Sequence, residues 1–345
     1  MASRKEAVEA AIRKLGPGWT QDAVAELSGV SGASVHRLAK GLRDIPPPKK
    51  RNGTAKIVDI EGLTAEDQFP EGSEVLEKLK AVQGKVQEKV SRRYSQVIEI
   101  NDSKPVAIAL FSDLHLGGPY VDYRAIEADA QLVRDTEGFY GVAAGDYFDN
   151  WIGKLEWIQR GQAVPFAEEV SLVEWWFDTL REKLLCVVAG NHDFRTKKTA
   201  GIDVIARILR DVKCLFDGDE VRFLLKHGKS QKRFKVRHMW RYKSVFNQSH
   251  GIERDIERGE GDFDVGVAAH EHRGTLFREF TNHGDKALAV ILGTYKYHDR
   301  YAVQWGFRKS PHDASGALIS WPDGRLHHMP DLQSAADYLK FLRKP

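Results

Sequence analysis

One pattern recurs along the chain: an apolar run of strand length that stops at a metal-ligating side chain. Val106-Ala107-Ile108-Ala109-Leu110-Phe111 leads into Ser112-Asp113-Leu114-His115. Phe139-Tyr140-Gly141-Val142-Ala143-Ala144 leads into Gly145-Asp146-Tyr147-Phe148-Asp149. Leu184 to Ala189 leads into Gly190-Asn191-His192-Asp193, and Asp264 to Ala269 leads into His270-Glu271-His272. Short apolar runs without helical periodicity read as buried strands. Their ends deliver Asp, His, Asn and His to one sheet edge, the donors that suit divalent first-row metals. Asp146 is the most central and reads as a carboxylate bridging two ions.

Between these strands, helices are expected at 122–134, 166–182 and 202–211. The alternation argues for an α/β domain. After Asp217 the pattern changes to short strands at 220–227, 232–240, 264–270, 274–281, 286–293 and 315–320. An amphipathic helix at about 331–343 closes the chain.

The series Asp113/His115, Asp146/Asp149, Asn191/His192/Asp193, His238 and His270/His272 resembles the calcineurin-like metallophosphoesterase superfamily over about residues 104–325. The pattern usually reads Gly-His-x-His at its end; here Ala269 replaces the glycine, and its methyl is expected to narrow the space beside the metals. The resemblance implies two packed mixed β-sheets flanked by helices. It implies two divalent ions, Mn2+ first among Fe, Zn and Mg. One ion would take Asp113, His115, Asp146 and His272. The other would take Asp146, Asn191, His238 and His270. His250 competes with His238 for that place, and His238 is favoured because it ends a strand-like run. The water between the ions would attack phosphorus. His192 would protonate the leaving group, and Asp149 and Asp193 would orient imidazoles.

The charge balance adds a partner. The net charge is +3, but residues 1–56 carry eleven Lys/Arg and five Asp/Glu, leaving −3 for the remainder. Residues 4–15 read as an amphipathic helix stopped by Gly16-Pro17-Gly18. A second helix, Gln21 to Ser28, is capped by Thr20, and a third, from Ser31 to Leu42, is capped by Ser31. Val24, Ala25, Leu27, Val30, Val35 and Leu38 form the expected core. This resembles a helix-turn-helix unit that shows Ser34, His36, Arg37 and Lys40 to duplex DNA; a protein-docking domain with the same packing is the alternative. A second candidate DNA surface is 221–245, with nine Lys/Arg and no acid. Lys229, Lys232 and Arg233 stand at its centre, and Phe234, Trp240 and Tyr242 interleave.

The expected organisation is a helix-turn-helix domain at 1–45, a Pro/basic linker at 46–72 and a helical connector with the first strand at 73–100. A catalytic domain at 101–325 and a C-terminal helix at 326–345 follow. The connector helix, with Val75, Leu79, Val82, Val86 and Val90 at helical spacing, packs on the catalytic domain or pairs two subunits. Two cysteines, no secretory leader and no membrane-length apolar run set the expectation of a reducing cytoplasm and no membrane partner. The expected activity is phosphodiester hydrolysis of DNA, similar to the DNA-repair or phage-borne nucleases of the superfamily. The rivals are a phosphatase acting on a small molecule or phosphoprotein, and a non-enzymatic DNA-binding regulator.

Overall fold

The computed structural model describes residues 3–17, 19–40, 42, 71–93, 96–152, 162–242, 244, 246–258, 262–282, 284–297 and 314–344. The spacer expected at 46–72 lies outside the described residues up to position 70, as does Lys243. The chain divides into two compact units, 1–80 and 81–345.

The first unit holds α1 (Arg4–Leu15), α2 (Gln21–Ser28) and α3 (Gly32–Ala39). A capping box sets the start of α1: the Glu6 N–H donates to Ser3 Oγ, and Glu6 Oε2 accepts from the Ser3 N–H. Thr20 caps α2 through the Ala23 N–H, and Gly29 ends it in the left-handed conformation at φ 64°. Ser31 does not cap α3; its hydroxyl donates to Ser34 Oγ instead. Val8, Ala11, Ile12, Trp19, Val24, Val30 and Val35 are the core. Leu27, expected inside, is 46 % exposed; Trp19, just before α2, supplies the bulk instead. α4 (Gly72–Arg93) exposes Leu76, Leu79, Val82 and Val86.

In the second unit the chain runs β1 (Gln96–Ile100), β2 (Val106–Phe111), α5 (Tyr123–Asp135), β3 (Phe139–Ala143), α6 (Phe166–Thr179), β4 (Leu184–Val188), α7 (Phe194–Ala200), α8 (Val204–Ile208) and β5 (Leu215–Asp217). It continues through β6 (Val221–His227), β7 (Ser230–Val236), α9 (His250–Glu257), β8 (Val265–Ala268), β9 (Leu276–Asn282), β10 (Asp285–Ile291), β11 (Gly316–Ser320), β12 (Leu326–Met329) and α10 (Leu332–Leu342). Residues 326–329, grouped by sequence with the last helix, are strand: β12 pairs antiparallel with β11. The expected helix at 202–211 is α8 followed by a single 3-10 turn.

Two six-stranded mixed sheets form, ordered β1-β6-β7-β8-β10-β9 and β12-β11-β2-β3-β4-β5. Each face of β2 has its own partner, so the whole strand is apolar. Val106, Ile108 and Leu110 meet Phe223, Leu225, Phe234, Val265 and Val290 between the sheets. Ala107, Ala109 and Phe111 face the layer of α5, α6 and α10, where Trp176 stands edge-on to Phe111. α9 covers the outer face of the other sheet through Ile252 and Ile256. Truncating Phe111 to alanine would cost about 3–5 kcal/mol by the usual scale for a filled core. β2, β3 and β4 are parallel, as are β7 and β8. Their carboxyl ends open at one edge of the sandwich.

Candidate metal centre

Every ligand candidate but His250 sits just beyond one of those strand ends. After β2 the backbone turns so that the Asp113 N–H donates to Gly145 O at 2.9 Å and the His115 N–H to Asp146 O at 3.0 Å. The loops after β2 and β3 thereby hold each other. The turns need unusual backbone. Asp113, His115, Asp146, Asn150, His270 and His272 all have φ between 35° and 79°. Among the described residues, Tyr242 is the one other non-glycine residue with positive φ. Such strain persists where surrounding structure over-determines it, and it clusters at functional sites. Two glycines make the approach feasible. A Cβ on Gly190 would lie 2.1 Å from Asp146 Oδ1, and one on Gly145 would lie 2.6 Å from the Gly190 nitrogen.

Two groups of side chains share Asp146, and a third joins His115 to Asp149 and His192. Asp113, His115, Asp146 and His272 offer ligand atoms within 4.8 Å of one another, as do Asp146, His238 and His270. In the first, His272 Nε2 lies 2.8 Å from Asp113 Oδ1 and 3.0 Å from His115 Nε2. In the second, His238 Nε2 lies 3.1 Å from Asp146 Oδ2 and 3.2 Å from Asn191 Oδ1. Its other nitrogen, Nδ1, donates to Ala144 O at 2.8 Å and ties the ring to the end of β3. β7 stops at Val236, but backbone bonds from the Arg237 N–H to Val267 O and from the Ala269 N–H to His238 O carry His238 onward beside β8. His250 opens α9 and joins none of these groups. Carboxylates and imidazoles converging on two neighbouring points, one carboxylate common to both, are a donor set for two divalent ions.

The field of the cluster agrees. Burial works against charge on His115, yet Asp113 and Asp149 outweigh it and push the imidazole up to about 9. Burial is likewise overcome at His238, where Asp146 and Asp113 push it up to about 10. Asp146 is held well below the ordinary carboxylate range, burial notwithstanding, by His238. The site draws positive charge.

The supporting residues divide differently from expectation. Asp149 stands against an imidazole, its Oδ1 3.1 Å from His115 Nδ1. Asp193 faces the backbone instead. Its Oδ2 accepts from the Asp146 and Gly190 N–H groups and its Oδ1 from Tyr147 and Phe148, so it clamps the backbone after β3. The turn after Asn191 aims it back at that loop rather than at a ring. His192 donates from Nδ1 to Asp149 O at 2.6 Å, and its Nε2 accepts from Arg195 Nη2 at 3.0 Å. Burial pushes this imidazole down to about 3. It is therefore neutral, with a bare Nε2; to protonate a leaving oxygen it must first lose the Arg195 bond and take up a proton at Nε2. The Ala269 methyl, just after β8, joins the core between the sheets.

Three further residues escaped the sequence reading. Lys296, buried after β10, bonds Asp149 Oδ1 at 2.6 Å. Glu169, buried on α6, accepts from the Asn150 N–H at 3.0 Å, and burial pushes its carboxyl up to about 8. Arg195 is the third. No motif marks Lys296 or Glu169, which reach the site only through the fold. Arg195 stands two residues past Asp193, close enough to the Asn-His-Asp series for that position to have been the signal.

Residues 106–274 match the family model described as calcineurin-like phosphoesterase. That stretch is a calcineurin-like phosphoesterase domain. Its similarity to solved structures is spread over several proteins. Vacuolar protein sorting 29 from Cryptosporidium parvum is 14 % identical over 65 % of this chain and 96 % of its own, with TM-score 0.34. The nuclease MPE of Pseudomonas putida is 12 % identical over 64 % and 87 %, with TM-score 0.30. The calcineurin-like phosphoesterase YfkN of Bacillus subtilis is 12 % identical over 70 % and 100 %, with TM-score 0.33. No curated protein matches the sequence. Among the described residues no helix is long and apolar enough to cross a membrane.

The candidate DNA-contacting residues are spread over two places. On α3, His36 and Arg37 are exposed and Ser34 is half-buried, and Lys40, just after the helix, is exposed. On the β6–β7 hairpin, Lys229 is exposed and Lys232 half-buried. Arg233 is engaged by Asp262 and Asp264, its Nη2 lying 2.9 Å from Asp264 Oδ1. These acids lie outside the 221–245 window and were missed by its count.

Proposed function

We propose that this chain is a two-metal phosphodiesterase that hydrolyses DNA. The observation that carries the reading is the sharing of Asp146 between two donor groups. Asp113, His115, Asp146 and His272 would hold one ion, and Asp146, Asn191, His238 and His270 the other. Such a pair of ions, when bound, acidifies a water and stabilises charge on phosphoryl oxygens. The chain supplies the rest. Asp149 and the Ala144 carbonyl aim His115 and His238, Asp193 fixes the loop that carries Asp146, and His192 stands beside the cluster to meet the leaving oxygen. None of these roles needs a covalent phosphoenzyme.

The choice of DNA is supported by the first unit. Three helices close on a small core, and the last exposes His36 and Arg37, with Lys40 just after it. Basic side chains on the third helix of such a unit suit a duplex backbone. Mn2+ is the ion proposed first, because mixed carboxylate and imidazole donors fit it.

A substrate panel decides the reading. Chelated protein would be reloaded with Mn2+ and given duplex DNA, a nitrophenyl diester and a nucleotide monoester, with and without residues 1–56. The expected result is diester cleavage by both forms, with DNA affinity and its salt dependence reduced in the truncated one. Monoester turnover alone would favour a phosphatase. Unchanged DNA affinity after truncation would favour a protein-docking role for the first unit.

A further inference from the structure

Arg195 is the second residue of α7, and its half-buried guanidinium is held on several sides. It lies over the Trp151 ring, 4.2 Å from the centroid. Nη1 donates to Asn150 O at 3.1 Å, and Nη2 donates to His192 Nε2 at 3.0 Å. All of these partners are neutral. Among the described residues no carboxylate bonds to it; Asp146, Asp149, Asp193 and Glu169 act on it only at a distance, and burial opposes its charge. The other buried cation here, Lys296, already has Asp149. A guanidinium taken out of water without an anion is costly unless a ligand completes it. Its planar fork matches two oxygens of a phosphate. Its position is suitable too. The ring it bonds, His192, lies 4.7 Å from the His115 ring, and the His192 N–H donates to Asp146 Oδ1 at 2.8 Å. Arg195 thus stands one imidazole away from the donor cluster.

We infer that Arg195 grips the phosphoryl group of the substrate: Nη2 leaves His192 Nε2 for a non-bridging oxygen, while Trp151 and the Asn150 carbonyl keep the guanidinium in plane. The inference rests on the phosphoesterase reading. It explains why an arginine is stacked and oriented so fully beside a site whose ligands do not touch it.

The test uses the full chain loaded with Mn2+, with inorganic phosphate as the binding probe and bis-nitrophenyl phosphate as the kinetic one. Arg195→Gln removes the charge and keeps a polar side chain. Arg195→Lys keeps the charge and removes the fork. Titration calorimetry is expected to show phosphate binding weakened about ten- to a hundredfold in Arg195→Gln, the range for a charged hydrogen bond, and less in Arg195→Lys. The diester KM should rise in the same order, metal content and melting temperature should match the wild type, and added guanidinium should partly restore Arg195→Gln. Wild-type phosphate affinity in Arg195→Gln would overturn the proposal. So would equal loss of metal from both variants, which would make Arg195 a prop for the Asn191 turn. A wild type that neither binds phosphate nor cleaves any ester would overturn the phosphoesterase reading itself, and the grip with it.

Discussion

The strand-end cluster and the β6–β7 hairpin both stand out in the sequence, and folding treats them oppositely. The cluster gathers residues as far apart as Asp113 and His272 into hydrogen-bond range. The hairpin disperses what looked gathered. Arg222 and Arg237 turn to Glu220, Lys235 is buried against Asp255, and Arg233 takes Asp262 and Asp264. A ligand at the end of a buried parallel strand has its place set by topology, whatever its neighbours in sequence. A charge on a surface strand has its partner chosen across the sheet, where a local window cannot see it.

The largest expected effect breaks the cluster at its shared member. Asp146→Asn should abolish hydrolysis and lower the bound metal, measured by elemental analysis beside the diester assay. Full activity in that variant, or activity in excess chelator, would end the two-ion reading. His192→Ala comes next. It should keep its metal and lose about 10²–10⁴ in rate on DNA, the usual cost of a lost general acid. A nitrophenolate leaves without a proton, so turnover of the nitrophenyl diester should largely survive. Loss of metal would instead make His192 a ligand.

The cluster also carries a pH signature. His115 and His238 are raised to about 9 and about 10 in the folded chain. A raised imidazole contributes stability that is complete below its unfolded value, about 6.5, and is lost as pH rises through the folded one. Chelated protein should therefore lose melting temperature between about pH 7 and 10. Ligands must shed those protons to bind a cation, so metal binding should tighten over the same interval. The gap between melting curves with Mn2+ and with chelator should widen with pH. A constant gap would mean that these imidazoles do not meet the ion.

Much of the sandwich was legible for one physical reason: its strands are buried on both faces and read as unbroken apolar runs ending at donors. Short pieces were not. β5 and β12 are only three and four residues long and exist by pairing with β4 and β11. α7 and α9 are brief helices whose starts follow loops fixed by tertiary contacts. At the site, the ligand candidates lay in motifs, and the structure brings them together. Asp193 was legible as important and misread in role, because a spacing does not say whether a carboxylate faces a ring or the backbone. Lys296 was invisible, since it pairs with Asp149 across 147 positions.

The smallest expected effect tests the hairpin side. Arg233 is bound to Asp264 three times: its backbone N–H donates to Oδ2 at 2.7 Å, its Nε to Oδ2 at 3.3 Å and its Nη2 to Oδ1 at 2.9 Å. Asp264 immediately precedes β8, which ends beside His270, so this pair fastens the hairpin to a strand that serves the site. With 42 % of the Arg233 side chain exposed, the pair is worth at most about 1 kcal/mol. Arg233→Ala should lower the melting temperature by about 2–4 °C, Asp264→Asn should do much the same, and the double variant should lose little more. DNA affinity should not follow Arg233. Charge reversal at Lys229 and Lys232 should show the inverse pattern, with an unchanged melting temperature and weaker DNA binding where the backbone tracks the hairpin. If Arg233→Ala weakens DNA as much as those reversals do, the acids do not neutralise it in solution, and the contrast between the two regions fails at that residue.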